Sequence, residues 1–210
     1  MAAEIPKADC YSAGERGAMV WGQELRAWLL LPLLKLLAAA RVTPDQITAA
    51  SVACGLAFCP LWLWPGSPAW AKPAALVALL LHVLLDGLDG PLARYLGTAS
   101  RRGSFTDTLA DQFVVTASTL SLMAVSQPSL SVWVGGAYIF CYAMVVGFAM
   151  VRNVLGVPYS WLVRPRFWVY GWIAVDLYLL PGWLEIVVGG FTAVLAIKLA
   201  TGFVAIRRML

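Results

Sequence analysis

The sequence predicts an all-α integral membrane protein, in which six transmembrane helices follow an N-terminal amphipathic helix at the membrane interface. Of its 210 residues, 61% are apolar and 12% are charged, whereas soluble domains contain about 25% charged residues. The mean hydropathy of +0.79 also excludes an ordinary water-soluble domain. Because one bilayer span needs roughly 20 apolar residues, the chain has room for six spans and a short N-terminal segment.

The first element is the amphipathic helix, expected over residues 16–41. Its Leu-rich and Trp-rich stretch is interrupted by charged residues and by Pro32. At about 100° per residue, Glu24 and Lys35 lie only about 20° apart on a helix, which gives the segment one polar face. We therefore predict that it lies in the membrane interface, with a tilted seventh span as the alternative.

The six-helix bundle is expected over residues 43–208. Thr43 can cap a helix and Pro44 can occupy its first turn, so the first span begins here. Pro and Gly residues mark several of the later boundaries. The predicted spans cover residues 43–64, 70–95, 104–125, 130–151, 167–180 and 183–206. No repeat or linker divides the chain, so residues 1–210 are expected to form a single domain.

Basic residues collect on one side of the predicted bundle. They are Arg16, Arg26, Lys35, Arg41, Arg94, Arg101, Arg102, Arg152, Arg164, Arg166, Arg207 and Arg208. The opposite loops contain only Lys72. Because Lys and Arg favour the cytoplasmic side, both termini are expected in the cytoplasm, with the chain in the inner membrane of a bacterial cell. The net charge of +4 reflects this topology, and no nucleic-acid partner is expected.

Four carboxylates lie inside the second and third predicted spans. They are Asp86, Asp89, Asp107 and Asp111. A charge near the bilayer centre costs roughly 2.5 to 3.5 kcal/mol, so this group indicates a function. Helical geometry places each pair on one face, and carboxylates this close need cations to balance them. Hard oxygen ligands suit Mg²⁺ or Mn²⁺, and two such ions can clamp a phosphoryl group during an in-line displacement.

The spacing of these aspartates resembles the signature of the CDP-alcohol phosphotransferase family, also called CDP-alcohol phosphatidyltransferases. The matching positions are Asp86, Asp89, Gly90, Ala93, Arg94, Gly103, Asp107 and Asp111. The gaps between them are also those of the family. The six-span topology and the preceding amphipathic helix resemble the family as well, so the similarity extends over nearly the whole chain.

The resemblance implies a transferase of phospholipid biosynthesis, active on substituted phosphate groups. Such an enzyme moves a phosphatidyl group, commonly from CDP-diacylglycerol, to a hydroxyl acceptor and releases CMP. Two Mg²⁺ or Mn²⁺ ions would be held by Asp86, Asp89, Asp107 and Asp111. Asp111 would also take the proton of the acceptor. The cytidine diphosphate would be bound by Gly90, Ala93, Arg94 and Gly103. The active site would open to the cytoplasmic leaflet, and the resemblance also implies a homodimer among membrane lipids.

The acceptor is left open by the sequence. Basic residues near the cytoplasmic ends of later spans are candidates to bind a phosphorylated acceptor, namely Arg152, Arg164 and Arg166, with ordinary membrane topology as the alternative explanation for each.

His82 precedes Asp86 by one helical turn and is expected either to donate to it or simply to pack. Asp176, in the short fifth span, has no evident role beyond an interfacial or dimer contact.

Three other functions compete with phosphatidyl transfer. The donor could be CDP-choline or CDP-ethanolamine, with diacylglycerol as the acceptor. Intramembrane prenyltransferases also use aspartates and Mg²⁺, but they have two widely separated motifs. An intramembrane cation transporter would explain the carboxylates but would leave Arg94 and Gly103 unexplained. Release of CMP separates the CDP-dependent transferases from the other two functions.

Overall fold

The computed structural model describes residues 28–125, 130–155 and 164–208. Over these residues the regular secondary structure is entirely helical. The helices are α1 (Trp28–Ala39), α2 (Pro44–Leu63), α3 (Ala71–Tyr95), α4 (Arg101–Met123), α5 (Val132–Val154), α6 (Pro165–Tyr178) and α7 (Leu184–Arg207). Each of the six predicted spans corresponds to one helix from α2 to α7.

The start of α2 is the one predicted from the sequence. The hydroxyl of Thr43 accepts a hydrogen bond from the backbone N–H of Gln46, and the Gln46 side chain accepts one from the backbone N–H of Thr43. Pro44 occupies the first turn, where its missing N–H costs nothing. These contacts fix the point at which the chain enters the bundle.

Four helices, α2, α3, α5 and α7, are long and apolar enough to cross a membrane. Helix α4 has 23 residues, but its arginines and aspartates lower its hydropathy. Helix α6 has 14 residues, so it is about 21 Å long, shorter than a hydrocarbon core of about 30 Å. The four apolar helices agree with a multi-pass membrane protein, while the count of six spans stays a prediction.

Helix α1 packs against one end of the bundle. Its Leu34 is buried together with Ile47, near the start of α2, and Leu92, near the end of α3. Trp28, Leu29 and other apolar residues of α1 remain exposed. Residues 16–27 of the predicted amphipathic helix lie outside the described residues, so its placement in the interface stays a prediction.

The bundle is organised around two helix pairs. Helix α2 packs most extensively against α3, and α5 packs against α7, with α4 in contact with both α2 and α5. A Cβ atom at Gly55 of α2 would lie 2.5 Å from Cγ1 of Val114 and 3.2 Å from Cγ of His82. Only glycine therefore permits this approach of α2 to α3 and α4.

The two ends of the bundle differ in chemistry. Exposed tryptophans, typical of a membrane–water interface, lie at or beside the end of α2 and the starts of α3, α5 and α7, namely Trp64, Trp70, Trp133 and Trp183. Because successive helices alternate in direction, these positions share one end. The aspartates of α3 and α4 lie in the other half of the bundle.

Asp176 has a structural role that the sequence did not reveal. The side chain is buried, and its Oδ1 accepts a hydrogen bond of 2.7 Å from the backbone N–H of Leu184. Leu184 is the first residue of α7, so this carboxylate satisfies one of the unpaired N–H groups at the start of the helix. The suggested interfacial or dimer contact is replaced by a bond within the chain.

Candidate active site

Three carboxylates from two helices converge in the interior. One oxygen each from Asp86, Asp107 and Asp111 can be chosen so that all three lie within 4.8 Å of one another. Asp86 belongs to the C-terminal half of α3, and the other two lie one turn apart in the N-terminal half of α4. Helix α2 packs against both α3 and α4 and so brings these halves close together.

Asp89 lies beside this group and is more deeply buried, at 6% exposure. Its Oδ2 accepts a hydrogen bond of 2.7 Å from the hydroxyl of Thr48 on α2. Its Oδ1 accepts one of 2.6 Å from the backbone N–H of Gly90. These two bonds fix the orientation of the Asp89 carboxylate. Asp86 and Asp107 are among its electrostatic neighbours.

Arg166 enters the acidic group from the start of α6. Its side chain is buried, and its Nη2 donates to Oδ2 of Asp86 at 2.6 Å. Its Nη1 contacts Oδ1 of Asp111, so one guanidinium binds carboxylates from both α3 and α4. The guanidinium carbon also lies 4.8 Å from the ring centroid of Phe167. Arg166 therefore ties α6 to the two helices that carry the aspartates.

The donor set fits divalent cations. Four carboxylates, three of them converging, face a single guanidinium in the contacts described above. One positive charge balances only part of this negative charge, and burial makes the remainder costly. Hard cations that prefer oxygen ligands, such as Mg²⁺ or Mn²⁺, would supply the missing positive charge. The geometry therefore agrees with the metal ligands that the sequence predicts.

The four residues predicted to bind the CDP group lie on the same helices. A Cβ atom at Gly90 would be 3.5 Å from Nη1 of Arg94, so the guanidinium lies over this glycine. Ala93 is half-buried in the same turn of α3. Gly103 lies in the first turn of α4, and its N–H donates to the capping hydroxyl of Ser100 at 3.1 Å. The N-terminus of a helix also carries partial positive charge, which favours phosphate.

The three predicted acceptor residues have different surroundings. Arg166 is buried among the carboxylates. Arg164 is exposed at the N-cap of α6, and Arg152 is half-buried in the last turn of α5. Only Arg166, among the three, has described contacts with the aspartates.

His82 differs from its predicted role. The sequence predicts either a bond to Asp86 or simple packing, and the structure instead places its Nδ1 2.8 Å from the hydroxyl of Ser51 on α2. Its Nε2 faces Oδ1 of Asp111 at 4.0 Å. The prediction of a bond to Asp86 is therefore wrong, because the approach of α2 supplies a closer partner and the far side of the ring faces α4.

Sequence reasoning missed Thr48 and Ser51. Both lie on α2 at positions that share a face with Gly55, since they are separated by three and four residues. A stripe of polar and small residues in an apolar span is a recognisable signal, and it marks the face of α2 that meets the aspartates. The four-residue spacing from Pro44 to Thr48 continues this stripe to the helix start.

Comparison with known proteins gives a consistent result. Residues 41–204 match the family model described as CDP-alcohol phosphatidyltransferase. The chain is 39% identical over 74 residues to the archaetidylinositol phosphate synthase of Aeropyrum pernix, covering 34% of this chain and 36% of the relative. It is 35% identical over 92 residues to the phosphatidylinositol phosphate synthase of Cutibacterium acnes, covering 41% and 40%. The chain thus matches less than half the length of either relative.

Proposed function

The chain belongs to the CDP-alcohol phosphatidyltransferase family, and we propose that it transfers a phosphatidyl group from CDP-diacylglycerol to a hydroxyl acceptor, with release of CMP. The observation that supports this most strongly is the convergence of Asp86, Asp107 and Asp111. One carboxylate oxygen from each lies within 4.8 Å of one carboxylate oxygen from each of the other two. Such a group of carboxylates can hold divalent cations. These cations supply the concentrated positive charge that chemistry on a diphosphate needs.

We propose that the four aspartates hold two divalent ions. Asp86, Asp107 and Asp111 supply converging oxygens, and Asp89 is oriented beside them by Thr48 and Gly90. When bound, Mg²⁺ or Mn²⁺ stabilises charge on the diphosphate and lowers the pKa of the acceptor hydroxyl.

The proposed chemical step is a single displacement at phosphorus. The acceptor oxygen forms a bond to the phosphorus that bears diacylglycerol, while its proton passes to the Asp111 carboxylate. The bond between that phosphorus and the bridging oxygen breaks, and CMP leaves with the electron pair. Asp111 is suited to this role because Arg166 holds its Oδ1 in place. The proton is later lost to water.

Residues at the cytoplasmic half of α3 and the start of α4 bind the CDP group in this proposal. Arg94 donates to the diphosphate, and the lack of a side chain at Gly90 leaves room for the approach. Ala93 and Gly103 keep the adjacent surfaces small. The guanidinium of Arg94 lies over Gly90, so it is already close to the surface where the diphosphate would bind.

The acceptor is proposed to be a phosphorylated polyol, with inositol phosphate as the first candidate. Both relatives are named for inositol phosphate products. Arg164 and Arg152 are basic residues near the same end of the bundle as the carboxylates, and Arg166, whose two Nη atoms contact Asp86 and Asp111, adds positive charge beside them. Guanidinium groups bind phosphate through paired hydrogen bonds, so this end suits an anionic acceptor.

The proposed orientation has six spans, with both termini and the active site in the cytoplasm of a bacterial cell. The basic residues near one end of the bundle support it. In this arrangement a lipid donor enters from the inner leaflet, and a water-soluble acceptor enters from the cytoplasm. We also propose a homodimer, as is common in the family.

Release of CMP tests the proposed function. Purified protein in detergent is incubated with Mg²⁺ or Mn²⁺, CDP-diacylglycerol and one acceptor at a time: inositol phosphate, inositol, glycerol 3-phosphate, serine or phosphatidylglycerol. We expect CMP and a new phospholipid with inositol phosphate, and loss of both on chelation. Turnover of CDP-choline with diacylglycerol instead would overturn the donor assignment, and release of pyrophosphate or no product would overturn the reaction.

A further inference from the structure

His82 is the one histidine of the sequence, and it lies on α3 where α2, α4 and α6 approach this helix. Its side chain is 1% exposed. Ser51 of α2 contacts one side of the ring, and Asp111 of α4 faces the other. The ring of Tyr170 on α6 lies edge-on, with centroids 6.2 Å apart. None of the roles proposed above uses this buried imidazole.

The ring is held in one orientation by its surroundings. Nδ1 lies 2.8 Å from the Ser51 hydroxyl, and the close approach of Gly55 leaves little free space beside Cγ. A flip of the ring would remove Nδ1 from Ser51 and place carbon against a hydroxyl. Nε2 is therefore kept on the side of Asp111, 4.0 Å from Oδ1, with no hydrogen bond of its own among the described residues.

The Ser51 hydroxyl has one proton and two acceptors within reach. These are Nδ1 of His82 at 2.8 Å and the backbone carbonyl of His82 at 2.9 Å. Donation to Nδ1 leaves the ring proton on Nε2. Donation to the carbonyl instead leaves Nδ1–H to donate to the Ser51 hydroxyl or to the backbone carbonyl of Ser51 at 3.2 Å, and then Nε2 carries a lone pair. Both arrangements satisfy Nδ1, so the contacts with Ser51 alone do not select the tautomer. A carboxylate oxygen attracts an N–H and repels a lone pair, so the position of Asp111 favours the first arrangement.

We propose that His82 is a positioning residue for Asp111, with its Nε2–H directed at the Asp111 carboxylate and its ring fixed by Ser51. The 4.0 Å separation is about 1 Å longer than a hydrogen bond. Hydrogen bonds of catalytic groups commonly tighten in the substrate complex. Arg166 and His82 then hold Oδ1 of Asp111 from two directions. The effect on catalysis rests on the proposed function, whereas the ring orientation does not.

Two conservative variants separate positioning from simple packing. The amide nitrogen of Gln reaches about as far as Nε2, whereas that of Asn reaches only the position of Nδ1. Thus His82→Gln keeps a donor near Asp111, and His82→Asn keeps only the contact with Ser51. We expect His82→Asn to lower kcat about 10- to 100-fold, with an unchanged KM for CDP-diacylglycerol, and His82→Gln to recover most of this loss.

A packing role gives the opposite pattern. If His82 only fills space and bonds to Ser51, His82→Asn retains more kcat than His82→Gln, and the kcat values follow thermal stability. Either that pattern or equal rates in both variants would overturn the positioning role. Ser51→Ala combined with His82→Asn should lower kcat no further than His82→Asn alone, because Ser51 acts on Asp111 only through the donor that His82→Asn has already removed.

The tautomer of His82 can be read without any turnover. ¹⁵N-histidine labelling of the full chain in micelles, with a purification tag that lacks histidine, gives the ring signals of this single residue. Long-range ¹H–¹⁵N correlation should show the proton on Nε2, and Ser51→Ala should produce a mixture of tautomers. A proton on Nδ1 in the wild type would overturn the proposal. Absence of CMP release with an Nε2–H signal would contradict the proposed function alone.

Discussion

Nη2 of Arg166 lies 2.6 Å from Oδ2 of Asp86, although 80 residues separate them in the chain. Both side chains are largely buried, and the same guanidinium also contacts Asp111. Removing one partner of a buried pair leaves an unbalanced charge, which is more costly than the pair itself. Arg166 therefore both joins α6 to the site and offsets part of its negative charge.

Replacement of Arg166 should weaken both folding and catalysis. We expect Arg166→Gln to lower the free energy of unfolding by about 3 to 5 kcal/mol, because Asp86 and Asp111 lose their counter-charge. Added Mg²⁺ should recover part of this loss, since a cation among the carboxylates supplies the same charge. Thermal unfolding in detergent, with and without Mg²⁺, measures the loss of stability and its recovery.

Arg166→Lys and Arg208→Gln are the matched controls. Lysine keeps the charge but not the fork that contacts two carboxylates, so an intermediate loss is expected. Arg208, which directly follows the end of α7, is an exposed arginine with no role in the proposed site, so its variant should behave as wild type. Unchanged stability of Arg166→Gln would refute a charge-balancing role for this residue.

Thr48 should control how well Asp89 binds its ion. Thr48→Val removes the donor that lies 2.7 Å from Oδ2 of Asp89 while keeping the side-chain shape. We expect the Mg²⁺ concentration for half-maximal CMP release to rise about 10- to 100-fold, because partners of metal ligands set their orientation. Thr48→Ser should stay near wild type. Thr201→Val, which removes an exposed hydroxyl on α7, is the control, and an equal response in both valine variants would count against this role.

Gly55 should tolerate no side chain. In Gly55→Ala the new Cβ would lie 2.5 Å from Cγ1 of Val114, a stiff β-branched residue that is fully buried. We expect a loss of about 1 to 3 kcal/mol from overpacking, measured by thermal unfolding. Gly136→Ala on α5 is the control, because nothing lies within 4 Å of its added Cβ. Equal stability of the two variants would show that α2 is less closely packed than described.

The cap provided by Asp176 predicts a difference between two variants. Asp176→Ala loses the acceptor for the N–H of Leu184, and we expect a loss of about 0.5 to 2 kcal/mol in stability. Asp176→Asn keeps an acceptor oxygen of similar size and should lose less. Catalysis should be little changed in either variant. A larger loss of CMP release than of stability would show that Asp176 acts at the site instead.

Much of the helical pattern could be predicted because the apolar runs end at proline, glycine and charged residues. The capped start at Thr43 and Pro44 is local and depends on adjacent residues alone. The pairing of Asp107 with Asp111 on one face of a helix was also predictable, since it requires only their four-residue spacing, whereas their meeting with Asp86 depends on α2, which packs against both α3 and α4. Such features depend on spacing within one helix or between chain neighbours.

Other contacts required the relative rotation of helices, which the sequence does not specify. From the sequence, Arg166 fits ordinary membrane topology as well as it fits a role in the site. Only the packing of α6 against α3 brings it to Asp86. The direction of His82 depends on how closely Gly55 lets α2 approach. In the same way, Asp176 lies on one helix and caps the next, which is decided by the turn between them.

The most direct test of the proposed metal centre is the number of Mn²⁺ ions bound by the purified chain, counted by EPR titration in the presence of CDP. We expect two ions in the wild type and loss of at least one in Asp107→Asn. Asp45→Asn, which changes an exposed carboxylate at the start of α2, should bind as the wild type does. Absence of Mn²⁺ binding in the wild type, or unchanged binding in Asp107→Asn, would contradict the assignment of these aspartates as a two-metal phosphatidyl-transfer site.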